Sequence, residues 1–172
     1  GKAEATAEQM AAFCLSKNAS PWLPSCTVEE LARLFIAEGE AEGVRGDVAF
    51  AQSLQETGFF KFGGIVQPDQ NNYGGLGALN GGGAGQAASF PDPRSGVRAQ
   101  IQHLKAYASK EPLVNECIDP RFPLVARGSA EFAEWLGAAD NPNGRGWAVP
   151  GAGYGEKVVA LLGQIKATAA PK

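Results

Sequence analysis

The chain has 172 residues, of which 44% are apolar and 19% charged, so it can bury one real core and is neither disordered nor long enough for two ordinary domains. Its net charge is −3 and its pI about 5.2, with Lys and Arg scattered, which argues against nucleic acid as a partner because phosphate binding needs a concentrated basic patch. No apolar run approaches the ~18 residues that span a bilayer, so no membrane span is expected.

Thr6-Ala-Glu-Gln9 is a capping box and predicts a first helix over roughly residues 7 to 17. Asn18 to Ser25, which contains Pro21 and Pro24, reads as a loop. Thr27-Val-Glu-Glu30 is a second capping box, and LARLFIAEGEAEG behind it places Leu31, Leu34, Phe35 and Glu38 on one helical face. Gly43 and Gly46 break that pattern. Asp47 is expected to cap a third helix, VAFAQSLQETG, with Val48, Ala51, Leu54 and Gln55 on one stripe and Gly58 at its end.

Residues 58 to 95 differ in kind: they hold many of the 23 glycines together with Pro68, Asn71, Asn72, Pro91 and Pro93. A long irregular segment inside a compact chain is usually functional. Ser95 is expected to cap the next helix, GVRAQIQHLKAYA, with Val97, Ile101, Leu104 and Ala108 inward, and Ser129 to cap a shorter one, AEFAEWLG. Residues 138 to 153 form another loop, and Tyr154 to about Ala167 a final amphipathic helix. The expected architecture is one mainly α domain over 1–172, with 1–26 as an N-terminal helical extension. A glycine-rich lobe interrupts it, and any sheet is limited to a small β-hairpin within residues 60 to 95.

Cys14, Cys26 and Cys117 are too sparse for a disulfide framework. Cys14 and Cys26 close a short loop and either bridge in an oxidising compartment or stay buried thiols; Cys117 is expected to be free and buried. Without a CxxC nothing points to a thiolate zinc site, and neither metal nor cofactor is expected. No signal peptide is visible, and the opening GKAEATAEQM reads as a mature or trimmed terminus.

Glu56 closes an otherwise apolar helix and is flanked by Ala51, Leu54, Phe59, Phe60 and Phe62. Partial desolvation and the negative end of the helix dipole both raise a carboxyl's pKa, which is the state a general acid needs. The plain alternative is a glutamate that ends a helix and points to water. Gln70-Asn-Asn-Tyr-Gly-Gly-Leu-Gly77 combines amides, an aromatic ring and glycines. That composition suits a carbohydrate groove lined by Gln70, Asn72, Tyr73 and Gly74, with Tyr73 stacking on a sugar face; it equally suits a glycine-rich surface turn. Tyr154 opens the last helix, where its phenol either points into a cleft or is an ordinary aromatic. His103, the sole histidine, shares a helix face with Gln100 and Tyr107 and is a candidate groove residue, although a lone helical histidine more often holds structure.

DVAFAQSLQETGFFKFGG, QNNYGGLGA, SGVRAQIQHLKAYA and RGWAVPGAGYGEKV, in that order, resemble the bacterial glucosaminidase family, autolysin-type endo-β-N-acetylglucosaminidases of lysozyme-like fold. The resemblance runs from about Leu31 to Val159. It implies a lysozyme-like helical fold and a secreted, extracellular or cell-wall-associated enzyme. The implied target is the N-acetylglucosaminyl-β-1,4-N-acetylmuramyl bond, with peptidoglycan glycan strands as partner. Glu56 maps to the general acid, Asn72, Tyr73 and Gly74 to the groove motif, and Tyr154 to a tyrosine near the reacting sugar. The chain departs from the family where a second catalytic carboxylate is usually found, because GALNGGGAGQAASF has no Asp or Glu. Asp69, Asp92, Glu38, Glu40 and Glu42 are the carboxylates that remain for that role. A lytic transglycosylase shares the fold and the lone glutamate, and a catalytically silent glycan-binding module is the reading from another class.

Overall fold

In the computed structural model, which describes residues 1–79 and 81–171, five α-helices form the frame: α1 (Ala7–Lys17), α2 (Val28–Glu42), α3 (Gly46–Thr57), α4 (Pro93–Ala108) and α5 (Tyr154–Ala167). The protein is mainly helical. Among the described residues the only β pairing is an isolated bridge between Gly137 and Ala148, so the hairpin allowed for within 60 to 95 does not form.

Both capping boxes are present. Thr6 accepts from the Gln9 N–H while the Gln9 side chain returns to Thr6, and Thr27 and Glu30 repeat the exchange. Two expected caps are corrected. Arg45, not Asp47, precedes α3, and its side chain caps nothing. Gly46, the first residue of α3, lies so close to α2 that a Cβ on it would stand 2.3 Å from the Phe35 carbonyl oxygen, so only glycine fits there. Asp47 is turned inward, where it accepts the N–H groups of Glu4 and Ala5 at 2.8 and 3.1 Å and the Arg45 guanidinium. α4 opens on Asp92, which accepts from the Ser95 N–H at 2.8 Å. Pro93 at the first helical position and a carboxylate facing the helix dipole outcompete a serine cap further on.

α3 touches each of the other four helices and is buried along most of its length. Phe35, Phe50, Phe60 and Tyr73 close an edge-to-face ring with centroids 5.7–6.4 Å apart. Each such ring stabilises the fold by about 1.5–3 kcal/mol through burial. Residues 1–26 contribute Met10, Phe13 and Cys14 to this same core. On α4, Val97, Ile101 and Leu104 are buried as their spacing predicts, while Ala108, in the last turn, is exposed. The segment behind Ser129 is not an α-helix. A single 3-10 turn, Ala133–Leu136, forms there, and Asn141 holds it by donating to the Ser129 and Trp135 carbonyls.

All three cysteines are free thiols, so the Cys14–Cys26 bridge is not made. Burial pushes Cys14 up to about 12, and burial together with the neighbouring Glu30 charge pushes Cys26 up to about 11. Cys117, expected to be buried, is exposed in the segment after α4.

Candidate active site

Glu56 lies in the last turn of α3. The chain leaves that helix through Gly58, Phe59 and Phe60, all left-handed with φ of 60°, 57° and 59°. Such a backbone costs an ordinary residue about 1–2 kcal/mol. Here the buried Phe60 ring and the Thr57 hydroxyl, which accepts the Phe60 N–H at 2.9 Å, hold it in place. The reversal returns Phe60 to the core and leaves the Glu56 carboxyl at the wall of a cleft of about 430 Å³. Gly75 to Leu79, His103, Tyr107, Arg121 and Trp147 also line this cleft.

Tyr154, at the first position of α5, donates its phenol O–H to Oε1 of Glu56. It therefore stands directly against the carboxyl. The phenol oxygen in turn accepts from Nε2 of Gln52 at 3.1 Å, and Oε1 of Gln52 accepts from Nε2 of Gln100 at 2.9 Å. Gln100 and Gln52 are wholly buried. The result is a run of hydrogen bonds from α4 through α3 and α5, every donor pointing toward Glu56, and such runs strengthen each member. The Glu56 side chain has surface open to the cleft but is crowded by protein around it. That crowding pushes its pKa up, opposed in part by the Tyr154 hydrogen bond. Burial first, then the Glu56 charge beside it, push the Tyr154 phenol well above its ordinary range, so it stays a proton donor. With Oε1 occupied as an acceptor, Oε2 is the oxygen left to carry the acidic proton.

The amide-and-glycine motif serves a different purpose from the one expected. Gln70 donates to the Ala87 carbonyl and the Ser89 hydroxyl, both at 2.9 Å, and accepts from the Gln67 N–H at 2.7 Å. Asn71 donates to the Phe90 carbonyl at 3.0 Å. Asn72 donates to the Leu76 and Ala88 carbonyls, both at 2.9 Å, and accepts from the Leu76 N–H at 3.0 Å. These side chains do for the loop what strand ladders do elsewhere, so Gln70 and Asn72 have no amide left for a sugar. Tyr73 is corrected outright: its ring is 2% exposed, sits in the aromatic core and donates to Asn71 at 3.2 Å, so it offers no stacking face. Gly74 is buried too, and its carbonyl accepts from the Trp147 indole N–H at 3.0 Å. The glycine that reaches the carboxyl is Gly75.

His103 does line the cleft, and its Nδ1 meets the buried Asp119 carboxylate at 2.7 Å. Trp147 stands edge-on to it at 4.6 Å. None of the carboxylates considered as a second catalytic group lines the cleft. Glu38 is bound by Arg94 and Arg98, Glu42 by Lys105 and the N–H groups of Val114 and Asn115, and Asp92 caps α4. Asp69 and Glu40 are exposed away from it. Among the described residues no group of His, Cys, Asp or Glu is arranged to hold a metal ion. Sequence reasoning missed Gln52, Gly75, Asp119, Arg121 and Trp147. Gln52 had a readable signal, because it lies four residues before Glu56 on the same helical face.

The chain is 44% identical over 123 residues, 72% of its length, to an uncharacterized protein of Borreliella burgdorferi, and the match spans 58% of that protein. No known family profile matches the chain, and no solved structure matches it.

Proposed function

We propose that this protein cleaves the N-acetylglucosaminyl-β-1,4-N-acetylmuramyl bond of peptidoglycan, with Glu56 as the general acid, in a lysozyme-like helical domain acting outside the cell or at its wall. The observation that carries this reading is the Glu56 carboxyl in its cleft, its pKa raised by crowding and its Oε1 held by the Tyr154 hydroxyl. A protonated carboxyl at Oε2 gives its proton to the glycosidic oxygen as the bond from that oxygen to the sugar C1 breaks. No second carboxylate lines the cleft among the described residues. The hydrolytic route that fits is therefore substrate-assisted: the acetamido oxygen bonds C1, and a water then opens that ring while Glu56 takes back a proton from the water.

The same absence favours a second reading, a lytic transglycosylase. There the bond cut is the N-acetylmuramyl-β-1,4-N-acetylglucosaminyl one. Glu56 protonates the leaving glucosaminyl oxygen, the muramyl C6 hydroxyl closes on its own C1 in place of water, and that hydroxyl returns a proton to Glu56, leaving an anhydro-muramyl end. Purified peptidoglycan with mass analysis of the products separates these outcomes: new glucosaminyl reducing ends, anhydro-muramyl ends, or none for a silent glycan-binding module. Glu56→Gln should keep the fold and lose at least about 10²–10⁴-fold in turnover, since the amide has no proton to give. Near-normal turnover by folded Glu56→Gln protein would end the proposal.

A further inference from the structure

The cleft contains a charge that acid catalysis at Glu56 does not use. Arg121 lines it, and among the described residues its guanidinium enters no ion pair and no hydrogen bond. Arg33, Arg45, Arg94 and Arg98 each hold a carboxylate, Arg127 holds two carbonyl oxygens, and Arg145 is exposed and does not line the cleft.

The position of Arg121 is built. Its backbone N–H donates to Oδ1 of Asp119 at 2.9 Å, while Oδ2 of the same carboxylate meets His103 on α4 at 2.7 Å. The Asp119 side chain is fully buried, so one rigid group ties the root of Arg121 to the helix that forms the cleft. Tyr107, whose phenol donates to the Gly146 carbonyl at 2.8 Å, lines the same cleft. Leu124, Val125, Trp147 and Val149 contribute apolar surface to the same cleft, and a charge near such surface acts more strongly than in open water. The carboxyl that shares the cleft, Glu56, is engaged by Tyr154, and both oxygens of Asp119 are occupied. Arg121 is thus a cation without a counterion in a partly apolar cleft.

We infer that Arg121 is a specificity residue and that the glycan taken by this cleft carries a carboxylate, which the planar guanidinium grips through two parallel N–H donors. This rests on the glycan-cleaving reading. Two carboxylate sources share that chemistry: the lactyl group of a muramyl sugar stripped of its peptide, and the acidic groups of an attached stem peptide. A neutral N-acetylglucosamine oligomer has neither.

The test compares wild type with Arg121→Gln and Arg121→Lys on three substrates of matched length: the neutral oligomer, peptide-stripped glycan and the intact peptide-bearing strand. The expected result is a collapse of selectivity. The kcat/KM ratio of an anionic strand over the neutral oligomer should fall roughly 10–100-fold in Arg121→Gln, the scale of a charge-assisted hydrogen bond, and recover in part in Arg121→Lys. A fall confined to stripped glycan assigns the lactyl carboxylate, and one confined to the intact strand assigns the stem. A ratio unchanged within about twofold on both anionic strands overturns the inference. If wild type cleaves none of the three, the glycan-cleaving reading fails, and binding in a Glu56→Gln background scores Arg121 separately. There, an anionic preference that Arg121→Gln abolishes sustains the carboxylate subsite, and no such preference overturns it.

Discussion

A methyl group built on Gly75 would stand 2.8 Å from Oε2 of Glu56. The backbone at Gly75 is also left-handed, with φ of 67°, so the position is restricted twice, by conformation and by the carboxyl beside it.

Gly75→Ala should therefore separate two costs. The conformational cost is about 1–2 kcal/mol of stability. The contact falls on the far end of a flexible side chain, so Glu56 swings aside and turnover drops more than unfolding alone accounts for. Circular dichroism melts and peptidoglycan turnover on the same preparation check this. Normal turnover in a destabilised but folded variant would show that Gly75 does not set the carboxyl's position.

Tyr154→Phe removes the hydrogen bond that opposes the raised Glu56 pKa. Without it the carboxyl holds its proton to higher pH. The alkaline limb of the kcat/KM profile, where a general acid loses its proton, should move to higher pH while the maximal rate falls. A shift to lower pH would mean that the phenol acts on Glu56 in the opposite sense.

Tyr73→Ala tests whether this ring belongs to the core or to a sugar platform. Truncating a buried aromatic costs about 3–5 kcal/mol, whereas Tyr73→Phe loses only the bond to Asn71, about 0.5–1.5 kcal/mol. Urea midpoints measure both. An alanine variant of native stability that had lost glycan binding would restore Tyr73 to the groove.

Acid should weaken the protein through Glu38 and Glu42. Burial works against their ionisation, but Arg98 and Arg94 at Glu38, and the Asn115 N–H and Lys105 at Glu42, outweigh it and lower both pKa values below the ordinary 4.5. A carboxylate with a lowered folded-state pKa contributes stability that is complete above its unfolded value and lost as pH falls through the folded one. Glu42→Gln leaves the buried Lys105 ammonium uncompensated, a loss of about 3–5 kcal/mol at neutral pH. The gap in melting temperature between the variant and wild type should narrow steadily below pH 4.5. A gap constant with pH would assign the effect to packing and not to charge.

The helices were legible because their signals are local. Capping boxes at Thr6 and Thr27, the glycine stop at Gly58 and apolar spacing along α2 and α4 act within a few residues of where they are read. Asp47 and Ser95 misled because their roles are set by partners elsewhere: the Glu4 and Ala5 N–H groups and Arg45 engage Asp47, and Asp92 with Pro93 opens α4 ahead of Ser95. The candidate site was legible in its centre and not in its wall. Glu56 announced itself by its apolar surroundings and Tyr154 by its place at a helix start. The amides of Gln70 and Asn72 looked like ligand groups because free and satisfied amides are identical in sequence; only their partners, 16 to 19 residues away in the chain, tell them apart. Arg121 was invisible for the converse reason, since the lack of a counterion is a property of three-dimensional neighbours.

The fastening at Asn72 has a chemical consequence. Its side-chain nitrogen faces two carbonyl oxygens, those of Leu76 and Ala88, and its side-chain oxygen faces the Leu76 N–H. Hydrolytic deamidation exchanges that one nitrogen for an oxygen with almost no change in shape. The fastening would then hold three oxygens turned on one another, one of them charged, in a place that is 1% exposed. The turn that carries Gly75 to Glu56 would be released from within, so a slow spontaneous reaction at this one side chain would undo the setting of the Glu56 carboxyl.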